Sequence, residues 1–431
     1  MTAAPFVYPG LDEARWARAG TDRESGALRA ARRTAWIRYA SLPLPTAQDE
    51  EGRRTDPSRF AFDTVCPVEP RPWVATPVRE HPLDSAFDVV LSIEEDGLHL
   101  DDRTGVVRAG LVKVGPLDDP APVGEDADKL DCAHHAFWNA GLSIRVAARA
   151  ALAGGVLVRG RADRTGALWI PRIAIEAEAD SRLLFAQLWE SDDAAASMVL
   201  GSTKVTASDG ALVRGVLLQA MGRRNRFLFS ETITAERGAS VDWSTLQWGA
   251  SAARIRLSAA AIGSGASLQL RGLCLADGHQ HIDQKTLQDH RAPDTSSNLL
   301  FKCIVRNTAR SVFQGVIRAH PGAVRIDAFQ KNSNLVMDSG ARADSLPGLR
   351  IDTDDLKCTH GATLGNPDPD VLFYLRSRGL SLPDARALLV EGFAEDVLAA
   401  LPAPALCEIA RRLTGVRATG RDLDFPSRKV S

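Results

Sequence analysis

Cys358 and His360 place a thiol and an imidazole two residues apart within Ile351–Gly365. In an extended segment both side chains project from one face. Thiolate and imidazole are borderline-soft ligands that suit iron, zinc or copper(I). Two ligands cannot close a tetrahedral site, so a metal held here needs further ligands from elsewhere. The same groups suit a nucleophile and its base, although alternate positions on one strand hold the side chains parallel instead of aiming one at the other. Spacing alone favours a plainer arrangement, a buried cysteine beside a hydrogen-bonded histidine.

Other groups of the same chemistry are weaker. In Gly278-His-Gln-His-Ile-Asp283, a strand would put His279, His281 and Asp283 on one face, with His290 beyond. That resembles part of a metal site, but Lys285 and Gln288 read as solvated loop, which favours a structural hydrogen-bonded cluster. His134 and His135 are adjacent, so in a strand they face opposite ways and share no ligand. Arg214, Arg223, Arg224 and Arg226 come nearest to a basic patch; without interleaved aromatics they read as a solvated face. There is no P-loop, no Gly-x-Gly-x-x-Gly between a strand and a helix, and no Gly-x-Ser-x-Gly elbow. The chain is therefore not expected to hydrolyse ATP by itself.

The elements that must hold these residues follow from composition and period. The chain has 431 residues, 45% hydrophobic and 25% charged, with net charge −2. That balance fills the cores of two or three domains and supplies no field for nucleic acid. Six scattered cysteines without a CxxC pair argue against a zinc ribbon or a disulfide framework. No basic-then-apolar leader opens the chain, and no apolar run reaches membrane-spanning length. A reducing cytoplasm is the expected setting.

Helical spacing of Leu28, Ala31, Ala35, Trp36 and Tyr39 predicts a helix over Arg23 to Tyr39, stopped by the prolines after Ser41. Pro67–Pro82 reads as an extended linker. From about Leu98 the period becomes two, as in Leu142-Ser-Ile-Arg-Val, and no long amphipathic helix falls between Ala140 and Gln280. Gly210-Ala211, Gly238-Ala239 and Gly265-Ala266 recur at spacings of 28 and 27 residues, which points to the corners of a parallel β-helix ahead of a sandwich or barrel. After Gly365 helical period returns. Asp368 and Ser381 are the expected N-caps of two helices, and a third is predicted from Pro404 to Leu413.

Five motifs then occur in order: His279-Gln-His-Ile-Asp, Ser311-Val-Phe-Gln-Gly-Val-Ile, Asp327-Ala-Phe-Gln-Lys-Asn-Ser-Asn-Leu, Lys357-Cys-Thr-His-Gly-Ala-Thr and Leu372-Phe-Tyr-Leu-Arg-Ser-Arg-Gly. Together they resemble the SufB/SufD family of iron–sulfur cluster assembly proteins, on its SufD side because Gly361 follows His360. The stretch from Leu44 to Asp56 is similar to the family's N-terminal motif, with Gly52 where a tryptophan is usual. Val324-Arg-Ile-Asp departs from the family's Gln-Lys-Thr-Asp.

The resemblance implies a mainly β protein: a right-handed parallel β-helix core (98–355) between an N-terminal helical and irregular domain (1–97) and a C-terminal helical domain (356–431). It implies a non-enzymatic scaffold that pairs edge to edge with SufB and carries a SufC ATPase on its C-terminal helices, through Phe373, Tyr374, Leu388, Leu389 and Phe393. His360, and less strongly Cys358, would be metal ligands shared across the SufB interface. No cofactor is then expected on the isolated chain, only transient iron or an iron–sulfur cluster at the interface; alone, the chain could form a homodimer. Two other readings are a free-standing metal-binding chaperone and a β-helix enzyme acting on polysaccharide.

Overall fold

The computed structural model describes residues 7–8, 10–19, 24–43, 46, 53–74, 78–124 and 127–419. Its centre is a parallel β-solenoid of about 8 turns. Successive strands alternate between two sheets. One runs from Ala140–Val146 to Arg342–Ile351, the other from Val156–Arg161 to Leu356–Gly365. Each strand pairs in parallel with the strand one coil away, as Arg226–Ala235 does with Ala252–Ala261. The corner glycines have left-handed φ, +69° at Gly210, +65° at Gly238 and +77° at Gly265, a conformation that side chains with a Cβ resist. Ala211, Ala239 and Ala266 follow them fully buried. The recurring Gly-Ala pairs are thus the corners of stacked coils.

Three helices precede the bulk of the solenoid: α1 (Glu13–Ala19), α2 (Gly26–Ser41) and α3 (Lys129–Phe137). Ser25 caps α2 by accepting from the Leu28 amide, so this helix starts later than expected and ends at Ser41. Leu28, Tyr39 and Phe137 pack with Leu200 and Leu228 against the outer face of the first sheet. Three more helices follow the solenoid: α4 (Pro369–Ser377), α5 (Leu382–Leu398) and α6 (Pro404–Thr419). Asp368 caps α4 and Ser381 caps α5, as the sequence predicts. Val390, Val397, Leu406 and Ile409 cover Leu218, Leu246, Trp248 and Ile304 on the outer face of the second sheet. The Trp248 indole N–H donates to Thr414 Oγ1 at 3.1 Å.

Several expectations need correction. Both domain divisions fall inside the sheets. Val89–Ile93 pairs with Val156–Arg161 and, antiparallel, with Leu98–Asp102. Leu356–Gly365 pairs along its length with Ile326–Val336. The early strand shows no alternation because all five of its residues are buried, apolar to both sides but for Ser92. His134 and His135 lie on α3, not on a strand. The third C-terminal helix extends to Thr419. Gly52 and residues 420–431 lie outside the described residues.

Candidate functional site at the open last coil

In Ile326–Val336, Ala328, Gln330 and Asn332 are buried while Asp327, Phe329 and Lys331 are exposed. Cys358 is in register with Ala328 and His360 with Gln330. Both therefore stand on the interior side of the solenoid wall, on one face, as two alternate positions must. Among the described residues no strand pairs beyond theirs, nor beyond the companion strand Arg342–Ile351. The end of the solenoid is thus open. His360 is exposed and Cys358 half-buried, the latter packed with Ile326 and Ala328.

Burial, and next the Asp327 carboxylate, push the Cys358 thiol above its ordinary pKa. The group is protonated near neutral pH and needs a cation or a base to become a ligand. Among the described residues neither Cys358 nor His360 has a side-chain hydrogen-bond partner. No third histidine, cysteine or acid among the described residues joins them in a cluster. The pair stands on the interior side of the last coil, at its open end.

Beneath it the interior changes character. Middle coils are filled by Phe185, Phe227, Phe229 and Trp243. The last coils instead turn Gln284, Gln288, His290, Ser297, Gln330 and Asn332 inward, all buried. Gln288 Nε2 donates to Ser297 Oγ at 2.7 Å, and His290 Nε2 lies 2.8 Å from the same oxygen. Burial lowers the His290 pKa to about 4, so its ring is neutral. Gln288 Oε1, Gln330 Oε1 and Thr286 Oγ1 are buried without a partner. The sequence does carry a signal, the polar run of Gln284, Thr286, Gln288 and His290 at alternate positions. On its own that pattern reads as a solvated face, which is why Gln288 was expected in a loop.

The other candidates are held apart. His279 is exposed in a turn, with Thr308 Oγ1 at 2.6 Å. His281 is buried on the strand and bonds Thr55 Oγ1 at 2.9 Å, which pins the N-terminal segment to the sheet. Burial lowers its pKa to about 4. Asp283 pairs with Arg254 at 2.9 Å. Each of the three is thus hydrogen-bonded or ion-paired to a separate structural partner. His134 Nε2 bonds the Pro171 carbonyl at 3.1 Å, and His135 Nδ1 accepts from Arg172 at 3.3 Å. Arg214, Arg223 and Arg224 are exposed; Arg223 pairs with Asp277 at 3.2 Å.

On the C-terminal helices, α4 has no buried residue. Phe373 is 74% exposed and Tyr374 55%. Leu388 is exposed, Leu389 half-buried. Phe393 turns partly inward onto the sheet-facing core, beneath the Lys302 ammonium.

Fold and site together define a β-helical protein whose Cys358 and His360 lie on an open sheet edge instead of in a cleft. The SUF system FeS cluster assembly, SufBD core domain family matches residues 159–393, more than half of the chain. An iron-sulfur cluster assembly SufBD family protein of Mycobacterium leprae is 37% identical over 172 residues, covering 38% of this chain and 44% of that protein. The iron-sulfur cluster assembly protein SufD of Escherichia coli is 33% identical over 196 residues, 44% of this chain and 46% of SufD. The alignments thus span less than half of each relative. The chain belongs to the SufBD family of the SUF iron–sulfur cluster assembly system. No helix among the described residues is long and apolar enough to cross a membrane.

Proposed function

We propose that the chain is a scaffold subunit of SufD type, which pairs through its last coil with a SufB-type β-helix and presents His360 to iron or a nascent cluster at that junction. One observation carries this reading. Two ten-residue strands, Arg342–Ile351 and Leu356–Gly365, end the solenoid with their outer hydrogen-bonding edges unpaired among the described residues. An open β edge is a template for adding another chain's strand. His360 sits on that edge without a side-chain partner, so a second chain can complete its ligand set. Cys358 stands deeper and protonated, and is the lesser ligand. Iron and sulfide are cargo here, and the chain itself performs no bond-making step.

The exposed aromatic face of α4 suits a second partner, the SufC-type ATPase. α5 joins this helix to the solenoid: Lys302 pairs with Asp396, and Arg386 with Asp338 at 2.6 Å. Movement of a docked ATPase would therefore reach the sheet through two ion pairs and the α5 core contacts. The test is His360→Ala co-expressed with both partners. Loss of iron–sulfur enzyme maturation with an intact complex is the expected result; maturation at the normal rate would remove His360 from the mechanism.

A further inference from the structure

At the opposite end of the solenoid, the hairpin of Val89–Ile93 and Leu98–Asp102 carries a second set of ligand-type side chains. Glu94, Asp96 and His99 each offer one donor atom, and the three atoms lie within 4.8 Å of one another. His99 is 3% exposed, and its Nε2 lies 2.9 Å from Asp96 Oδ1. Two ligands about 2.1 Å from one cation, at a right angle, stand about 3 Å apart, so this separation suits a shared ion as well as a hydrogen bond.

Two further observations favour the ion. Ser92 is in register with His99 and two residues from Glu94, so all three share the outer face of the hairpin. Ser92 is 2% exposed, yet its hydroxyl has no partner, and with Glu94 it lines a cleft of about 130 Å³. The Glu94 carboxylate also has no partner among the described residues. Of that cleft's arginines, Arg159 pairs with Asp84 at 3.0 Å and Arg161 with Asp163 and with Asp192 at 2.8 Å, while Arg79 is exposed. Two carboxylates and a buried hydroxyl stand around one imidazole.

We propose that Glu94, Asp96 and His99 bind one divalent transition-metal cation on the first coil, with the Ser92 hydroxyl toward it and water completing the shell. Two carboxylates and an imidazole suit Mn²⁺, Fe²⁺ or Zn²⁺ and give little preference to a soft monovalent ion. The site is separate from Cys358 and His360 and does not depend on a partner chain.

Mn²⁺ is the appropriate probe because it avoids thiols. Titration of the full chain, followed by loss of the free-ion electron paramagnetic resonance signal, is expected to show one saturable Mn²⁺ per chain. Glu94→Gln and Asp96→Asn should each abolish it while leaving the metal-free melting temperature unchanged, and His360→Ala should leave it intact. The absence of a saturable site, or binding that survives both Glu94→Gln and Asp96→Asn, would overturn the proposal. So would binding that disappears with His360→Ala instead.

Discussion

Gln330 occupies the space that a side chain at position 315 would need. A Cβ on Gly315 would stand 2.6 Å from Gln330 Oε1 and 2.7 Å from its Cδ and Nε2. Gln330 is itself in register beneath His360, so Gly315, Gln330 and His360 form one stack from the far wall to the open end. A surface amide would swing aside, but this one is fully buried. Gly315→Ala is therefore expected to cost about 1–3 kcal/mol, the usual range for overpacking. In the Gln330→Ala background most of that cost should vanish. Urea unfolding of the four proteins in the cycle measures it; strictly additive costs would mean that the contact is not the reason for the glycine.

Glu231 sits inside the apolar middle coils and accepts from the Trp243 indole at 2.6 Å and Thr245 Oγ1 at 2.7 Å. Burial outweighs both bonds and raises its pKa to about 7. The folded state thus binds a proton that the unfolded chain releases near pH 4.5. Its contribution is fully present below that pH and is lost as pH rises through 7, a change on the order of 3 kcal/mol. Thermal melts of the native chain and Glu231→Gln between pH 5 and 8 should show the difference shifting in favour of the variant as pH rises, with the variant melting higher at pH 8.

His134 and His135 act in the opposite pH range. Burial, and next the Arg172 guanidinium, hold both imidazoles far below the ordinary value, His134 at about 3. The unfolded chain takes up these protons near pH 6.5 and the folded chain does not. Stability is expected to fall as pH drops below 6.5, toward pH 3. His135→Gln should reduce the proton uptake measured on acid unfolding by close to one per chain; an unchanged uptake would place the ring in solvent.

The two partner surfaces should fail independently. Leu364 on the open edge is 66% exposed and Phe373 on α4 74%, so neither Leu364→Asp nor Phe373→Ala should shift the melting temperature of the isolated chain by more than a degree or so. In pull-downs, the first should lose the β-helical partner and keep the ATPase, and the second the reverse. Joint loss in either variant would contradict two separate docking surfaces.

Much of the fold was legible because local chemistry leaves little choice. Gly210, Gly238 and Gly265 recur because glycine takes the left-handed φ of those corners at least cost, although Asp180, Asp294 and Arg325 also adopt it elsewhere in the chain. Asp368 and Ser381 announce helices because a side-chain oxygen there satisfies otherwise unpaired amides. What misled was always a matter of facing. Gln284, Gln288 and His290 alternate like a wet strand, and period two says nothing about which face is inside. Val89–Ile93 shows no period because neither face meets water. His134 and His135 read as strand neighbours until Asp128 and Asp131 are seen to cap a helix over them.

The spacing of Cys358 and His360, the corner period, the helix caps and the ordered family motifs are properties of the chain itself, and they suffice for the β-helix and for the family. Where Cys358 and His360 lie was decided only by the assembled solenoid. Strand pairing is non-local: each sheet edge is closed or left open by a segment some thirty residues away. After Gly365 the chain turns into helices that cover the outer face of the second sheet, because Val390, Val397, Leu406 and Ile409 find apolar partners there. Nothing in the described chain returns to pair with Leu356–Gly365, and that leaves His360 at an unfinished edge.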